Sequence, residues 1–275
     1  MKIGILTQPL YDNYGGLLQC FALQTVLKHL GHDVWIVRRD AERKKLSFIE
    51  NVIFCIKQIV KFFLGKFLKS FNPKKVKYVG KNTRYFVSEY INPKTELITS
   101  SDSLKECHFR HRFDAYVVGS DQVWRPLFSP CITNYFLDFL PIDKKVKRVA
   151  YAASFGVDDW EFSEKETIVC RDLLKLFDGV SVREDSAVEL CAKYLGREDA
   201  LHVLDPTMLL DKKDYIRLVE KENEPKSEGN LFCYILDESE DKSQIIRTIS
   251  EEIKAKPFTR MPKCPMSYEN LEKRL

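Results

Sequence analysis

Short apolar runs that end in small or polar residues recur along the first 210 residues and constrain the fold more than any other feature of the chain. Examples are Ala115 to Val118 before Gly119-Ser120-Asp121, Arg148 to Ala152 before Ser154-Phe155-Gly156, and Gly179 to Val182 before Arg183. Runs of this kind are typical of parallel strands that are buried on both faces. Because ligands bind at the carboxyl ends of the strands in an open parallel sheet, we expect these polar ends to meet in one cleft.

The first 38 residues follow a β-loop-α-β pattern. Ile3 to Leu6 is a strand-like run, Leu17 to Val26 carries apolar residues at helical spacing, and Val34 to Val37 is a second run. A right-handed crossover makes two such strands parallel. Together with the later runs, the pattern predicts an α/β fold in which residues 1–228 form a Rossmann-like domain with a parallel sheet.

The loop at positions 12–16, between the first strand and the first helix, has two interpretations. Backbone N–H groups at a helix N-terminus favour an anion, which makes Asn13, Tyr14, Gly15 and Gly16 a candidate phosphate or sugar site. Alternatively, Asn13 is an N-cap and the glycines allow close helix packing. The loop has neither a Gly-x-Gly-x-x-Gly nor a Walker pattern, so both interpretations stay open.

A charged stretch from Asp211 to Gly229, which includes Pro225, predicts an element followed by a linker, with a domain boundary near 228. Beyond it, Leu231 to Leu236 has the pattern of a new strand, and Asp241 to Lys254 that of an amphipathic helix. One strand with one or two helices cannot bury its own apolar faces. Residues 229–275 are therefore expected to be the incomplete start of a second Rossmann-like domain.

Composition and charge exclude several classes of protein. The 44 Lys and Arg against 40 Asp and Glu leave a net charge of +4, which is too small and too scattered to predict nucleic-acid binding. Eight widely spaced cysteines are unlike a secreted disulfide scaffold and favour the reducing cytoplasm. Cys107, His108 and His111 approach the spacing of metal ligands, but a solvated surface is the preferred interpretation, so we expect no metal. No export signal is expected, because the chain opens directly on a strand.

The stretch from Phe48 to Phe71 is apolar but is interrupted by Lys57, Lys61, Lys66 and Lys69. This pattern fits a helix that lies on the inner face of an anionic membrane, close to a lipid-linked saccharide. A helix that lines the domain and a helix at an interface are the alternatives. Peripheral membrane contact and a homo-oligomer are both left open.

Polar side chains after the run at 115–118 suit a carbohydrate pocket. Ser120 and Asp121 supply hydrogen-bonding groups, and Trp124 supplies a flat apolar ring. The alternative is that Asp121 caps a helix and Trp124 fills the core.

Arg183 directly follows a strand-like run and can hold a carboxylate or a phosphate through two parallel hydrogen bonds. Alternatively, it pairs with Glu184 or Asp185 at the surface. The last strand-like run of this domain is Leu201 to Leu204. We expect Asp205, which follows it, to shape a joint between domains rather than to perform chemistry.

Several motifs, taken in order, resemble the polysaccharide pyruvyl transferase family. They are Lys2 to Ile5 with Asn13 to Gly16 and Gln19, Val118 to Trp124, Tyr135 to Phe139, Ala150 to Gly156, Ser181 to Glu184, and Leu204 to Thr207. The resemblance covers about residues 1–210, and the shared order of the motifs makes it specific.

This resemblance implies two Rossmann-like domains across a cleft, similar to the GT-B glycosyltransferases. It also implies an enzyme of cell-surface or exopolysaccharide biosynthesis that moves pyruvate from phosphoenolpyruvate to saccharide hydroxyls as a ketal. Such chemistry needs acid-base groups and anion-binding side chains rather than a cofactor. On this basis Asp121 and Arg183 are the expected catalytic residues. The expected substrate contacts are Asn13, Tyr14, Gly15, Gly16, Gln19, Ser120, Trp124, Ser154, Phe155 and Gly156.

Members of the family usually carry a Thr-Asp-Ser-Phe-His-Gly-like segment in the second domain, and this sequence has none up to Leu275. We therefore expect the GT-B-like architecture to be truncated. Two other functions stay open: a GT-B-like glycosyltransferase that uses a nucleotide sugar, and a noncatalytic saccharide-binding module.

Overall fold

The computed structural model describes residues 1–11, 13–41, 80–142, 145–223, 227–235, 237 and 239–259. These residues belong to two compact units, one that ends at Asp211 and one that begins at Lys212. The predicted linker and the boundary near 228 stay predictions, since the division at 211 reflects packing alone.

A six-stranded parallel sheet forms the centre of the first unit. Its strands are β1 (Lys2–Leu6), β2 (Asp33–Val37), β3 (Ala115–Val118), β4 (Lys147–Ala153), β5 (Gly179–Val182) and β6 (Leu201–His202). They lie in the order β2-β1-β3-β4-β5-β6, and every neighbouring pair is parallel. The α/β fold with a Rossmann-like parallel sheet, predicted from the apolar runs, is confirmed.

In the described part of the first unit, five helices connect these strands: α1 (Tyr14–His29), α2 (Lys81–Glu89), α3 (Ser101–His111), α4 (Glu164–Leu174) and α5 (Asp185–Leu195). Their ends follow local chemistry. Ser163 and Glu166 form a capping box at the start of α4, and Gly196 ends α5 in the left-handed conformation. Two short 3₁₀ helices, Ile132–Phe136 and Pro206–Met208, lie in the loops.

The core of the first unit is rich in aromatic residues. Trp124, Tyr116, Tyr135 and Phe136 are fully buried, and the rings of Trp124 and Phe136 stack at 5.0 Å. The strand residues of β3 are buried along their whole length, as expected for a central parallel strand. This packing fixes the loops that leave the carboxyl ends of β3 and β4.

The second unit contains the helices α6 (Lys212–Glu222) and α7 (Glu240–Glu252) and the strands β7 (Leu231–Phe232) and β8 (Pro257–Phe258). β7 and β8 pair in parallel. The predicted strand and helix are thus present, although β7 is shorter than the apolar run at 231–236. A second Rossmann-like domain at 229–275 stays a prediction.

Within the described residues, no helix combines the length and the apolarity needed to cross a membrane. The stretch from Phe48 to Phe71, which was predicted to contact a membrane or a partner, lies outside the described residues.

Candidate functional site

The order of the strands identifies one edge of the sheet as the place for a ligand. β1 lies between β2 and β3, so the connection from β1 to β2 and the connection from β2 to β3 run in opposite directions across the sheet. In open parallel sheets a crevice forms at such a point, outside the carboxyl ends of the strands. The loop that leads to α1 and the tails of β3, β4 and β5 all leave from this edge.

Hydrogen bonds join the tails of β4 and β5. Arg183 donates from Nε to Oε1 of Glu184 at 2.9 Å and from a terminal nitrogen to Oγ of Ser154 at 3.2 Å. The buried Ser154 hydroxyl donates in turn to Oε1 of Glu184 at 2.8 Å and accepts from the N–H of Gly156 at 2.9 Å. The ion pair between Arg183 and Glu184, which was the alternative interpretation of this arginine, is therefore present.

Asp205 extends these contacts to α1. Its Oδ2 atom lies 3.4 Å from the second terminal nitrogen of Arg183 and accepts a hydrogen bond from Nε2 of Gln19. Its Oδ1 atom accepts from the N–H of Thr207 at 2.9 Å. Its carboxylate therefore bonds to two predicted site residues, and the expectation that Asp205 shapes a joint between domains stays a prediction. We refer to Gln19, Ser154, Arg183, Glu184 and Asp205 as the polar network.

Gln19 has one group without a partner. Its Oε1 atom is buried and accepts no hydrogen bond from any described residue. A buried polar atom without a partner carries a free-energy cost of about 1–3 kcal/mol, so such atoms are rare in native proteins. The Gln19 side chain, which links α1 to Asp205, therefore has an acceptor atom that no described residue uses.

Asp121 lies beside the polar network. Burial raises the pKa of its carboxyl, while the N–H of Gln122 and the charge of Arg183 act to lower it. Asp205 and Glu184 raise it further by repulsion. These electrostatic effects require proximity, so Asp121 and Arg183 share one region rather than lying on unrelated faces.

The backbone at Asp121 also connects β3 to β4. Its carbonyl oxygen accepts from the N–H of Ser154 at 3.1 Å, and its Oδ1 atom accepts from the N–H of Gln122 at 2.9 Å. Its φ of 69° lies in the left-handed region. The residue forms a turn and does not cap a helix, so the cap that the alternative interpretation assigned to Asp121 is wrong.

The N-terminus of α1 faces this carboxyl. A Cβ atom added to Gly16 would lie 2.8 Å from Oδ2 of Asp121, so a glycine is needed for the close approach. Asn13 is the N-cap, and its side chain accepts from the N–H of Gly16 at 3.3 Å. The N-cap interpretation of the loop is therefore confirmed, whereas the phosphate or sugar site stays a prediction, because the group beside the helix N-terminus is the acidic side chain of Asp121. Tyr14 and Gly15 are exposed beside it.

Trp124 was expected to line a sugar pocket, and the structure corrects this. Its ring is fully buried and stacked on Phe136, and its Nε1 atom donates to the backbone oxygen of Tyr135 at 3.1 Å. The indole therefore belongs to the core, which was the alternative interpretation.

Two further predicted contacts also lie in the interior. Ser120 is buried and donates to the backbone oxygen of Ala152 at 3.1 Å, and Phe155 is buried with its ring 5.5 Å from that of Trp124. Neither side chain is presented to a ligand in this structure. Gly156, by contrast, is exposed, and its φ of 72° lies in the left-handed region that favours glycine.

The predicted metal trio also differs in the structure. Glu96, not His108, has a ligand atom within 4.8 Å of those of Cys107 and His111. Cys107 and His108 are buried, so the expected solvated surface is wrong. Burial raises the pKa of the Cys107 thiol to about 12, and Glu96 already pairs with Arg110. Glu96, Cys107 and His111 therefore form a poor cation site.

The comparisons with known proteins extend the resemblance. A family model described as polysaccharide pyruvyl transferase matches residues 13–262. The match includes the loop of Asn13, Asp121, Arg183 and Asp205, and continues into the second unit. A comparison with curated proteins returned no match.

Proposed function

Because this chain belongs to the polysaccharide pyruvyl transferase family, we propose that it transfers pyruvate from phosphoenolpyruvate to two hydroxyls of a saccharide as a ketal. The observation that supports this most directly is the carboxyl of Asp121, with its raised pKa, beside the guanidinium of Arg183 at the ligand-binding edge of the sheet. A proton donor and an anion-binding group are the two things that the reaction needs.

In the proposed reaction the two hydroxyls release two protons, and two are taken up, one by the methylene carbon of phosphoenolpyruvate and one by the departing phosphate. The methylene carbon of phosphoenolpyruvate takes up a proton, and the neighbouring carbon becomes cationic. One saccharide hydroxyl adds to that carbon and loses its proton. A second hydroxyl of the same saccharide displaces phosphate and loses its proton, and the net products are the ketal and inorganic phosphate.

Asp121 is suited to exchange the proton at the first two steps. Because burial raises its pKa, it holds a proton at a higher pH than an exposed aspartate does. After it protonates the methylene carbon, the resulting carboxylate can accept the proton of the attacking hydroxyl. One side chain would then act first as acid and then as base.

Arg183 is suited to hold the donor. A guanidinium has five N–H groups, and the hydrogen bonds to Glu184, Ser154 and Asp205 use one on each nitrogen. One further N–H remains on each terminal nitrogen, and a guanidinium can bind a carboxylate or a phosphate through two such groups. The side chain is 23% exposed, which leaves it accessible from the crevice.

The loop of α1 would form the acceptor side of the crevice. Asn13, Tyr14 and Gly15 are exposed, and Gly16, which follows them, lies close to the carboxyl of Asp121. Amide and hydroxyl groups can bond to sugar hydroxyls, and the Tyr14 ring can pack on a sugar face. An acceptor from cell-surface or exopolysaccharide biosynthesis, free or lipid-linked, made in the cytoplasm, fits this proposal.

The test is release of phosphate from phosphoenolpyruvate in the presence of galactose- or mannose-type acceptors, with the ketal methyl group detected by NMR. Asp121→Asn is expected to lower kcat by about 10²–10⁴-fold, the usual contribution of a positioned acid-base group. Asp172→Asn, at an exposed position on α4, is the control and should behave as the wild type. If nucleotide sugars raise the melting temperature and phosphoenolpyruvate does not, the chain is instead a glycosyltransferase.

A further inference from the structure

A second cavity lies within the first unit, between the loop that follows β4 and the outer face of α5. Its volume is about 250 Å³, and its polar lining comes from Asp158, Asp159, Ser186, Glu189 and Lys193. Small-molecule sites are typically about 300–1,000 Å³, so this cavity suits one small ring rather than a large ligand. We call it the α5 groove.

One wall of the α5 groove is a stripe along the helix. Ser186, Glu189 and Lys193 are three and seven residues apart, which places them on the same helical face. The other wall is the loop at 158–160. The hydroxyl of Ser186 donates to Oδ1 of Asp158 at 2.7 Å and holds the two walls together at one end.

Stacked aromatic rings give the groove a rigid floor. The ring of Trp160 is parallel to that of Tyr194 at 4.5 Å and to that of Phe162 at 4.3 Å. Its Nε1 atom donates to Thr167 at 2.9 Å, which fixes the indole. Since the Trp160 ring already stacks on two neighbouring rings, selectivity in the groove comes from the polar side chains.

The charges of the groove favour a neutral, hydroxyl-rich ligand. Three carboxylates, those of Asp158, Asp159 and Glu189, face one ammonium group, that of Lys193. Lys193 also lies over the ring of Tyr194 at 4.9 Å. The surplus of negative charge repels a phosphate or a uronic acid, whereas carboxylates are strong acceptors for the hydroxyl groups of a sugar.

The α5 groove is continuous with the polar network along the chain. Asp158 follows Ser154 in the loop after β4, and Ser186 follows Glu184 at the start of α5. We propose that the groove binds a neutral sugar residue of the acceptor, next to the residue that receives pyruvate. This inference rests on the proposed function and adds to it that the acceptor is an uncharged oligosaccharide.

The test compares Glu189→Gln and Asp159→Asn with the wild type, because both changes keep size and remove charge. Loss of one hydrogen bond to a charged acceptor is expected to weaken binding of a neutral galactose- or mannose-type trisaccharide about tenfold. Saturation-transfer NMR measures that binding without turnover. Glu198→Gln, at an exposed position outside the groove, is the matched control and should bind as the wild type.

Each outcome is decisive. Trisaccharide binding that weakens in both variants supports the groove even if phosphoenolpyruvate is not consumed, in which case only the proposed function fails. Turnover with a trisaccharide whose KM and binding are unchanged in both variants overturns the groove and leaves the proposed function standing. Binding that follows the acidic charge of the saccharide, or binding of a divalent cation alone, also overturns it.

Discussion

Trp124→Phe tests whether this tryptophan belongs to the core or to a pocket. The phenyl ring keeps the stacking on Phe136 but loses the Nε1 hydrogen bond to Tyr135 and leaves a gap beside the ring. The lost hydrogen bond costs about 0.5–1.5 kcal/mol, and the lost apolar atoms with their gap cost about 1–2 kcal/mol. The free energy of unfolding should therefore fall by roughly 2–3 kcal/mol, which lowers the melting temperature by about 4–12 °C.

Thermal melts followed by circular dichroism measure this change, and Trp35→Phe is the control. Trp35 is only partly buried, and its Nε1 atom bonds to Asp33 at an exposed position, so the same replacement should cost less than about 1 kcal/mol. The KM for the saccharide acceptor should be the same in Trp124→Phe as in the wild type. If Trp124→Phe is as stable as Trp35→Phe and raises the acceptor KM, the core assignment is refuted.

Three other changes test the site and its supporting backbone. Asp121→Asn should raise the melting temperature at pH 7 but not near pH 4. Because the pKa of the Asp121 carboxyl is raised in the folded protein, the folded wild type binds this proton more tightly than the unfolded chain does. Wild-type stability therefore falls as the pH rises from 3.8, the ordinary pKa of an aspartate, through the pKa of the folded protein. Arg183→Lys keeps the charge but loses the paired N–H groups, so the KM for phosphoenolpyruvate should rise about 10–100-fold in steady-state titrations, and an unchanged KM would contradict the clamp. Gly119→Ala should cost more than about 3 kcal/mol in denaturant titrations, because φ is 127° and the added Cβ would overlap the backbone oxygen of Tyr151. The control Gly31→Ala, at φ of 84° with open space around it, should cost only about 1 kcal/mol, and equal losses would refute the steric argument.

The fold was predictable because buried parallel strands leave a strong trace in sequence. The run at 115–118 contains no polar residue, and the whole of β3 is buried. The weakest prediction was at the edge: the run at 201–204 suggested a longer strand, whereas β6 is only Leu201–His202 and both Leu201 and Leu204 are exposed. Apolar character predicts burial on average, but it does not tell an edge strand from a central one.

The site was predictable to a smaller extent, since sequence shows which residues follow a strand but not where their side chains point. Asp121 and Arg183 lie together, as expected from strand ends that meet at one edge. Ser120 and Trp124, in the same tail as Asp121, turn into the interior. The position of Asp205 depends on a contact with α1 from the far end of the unit, and no local pattern could reveal that contact.

On the proposed mechanism, the charges around Asp121 couple binding of the donor to protonation. Asp121, Glu184 and Asp205 are three acidic groups near one guanidinium, so an anionic donor enters a region that is already acidic. A proton on Asp121 removes one negative charge and favours the donor, and by thermodynamic linkage the bound donor raises the pKa of Asp121 further. The carboxyl would therefore carry its proton when phosphoenolpyruvate arrives, which is the state that a general acid needs, and it would become a base only after the proton has moved to carbon.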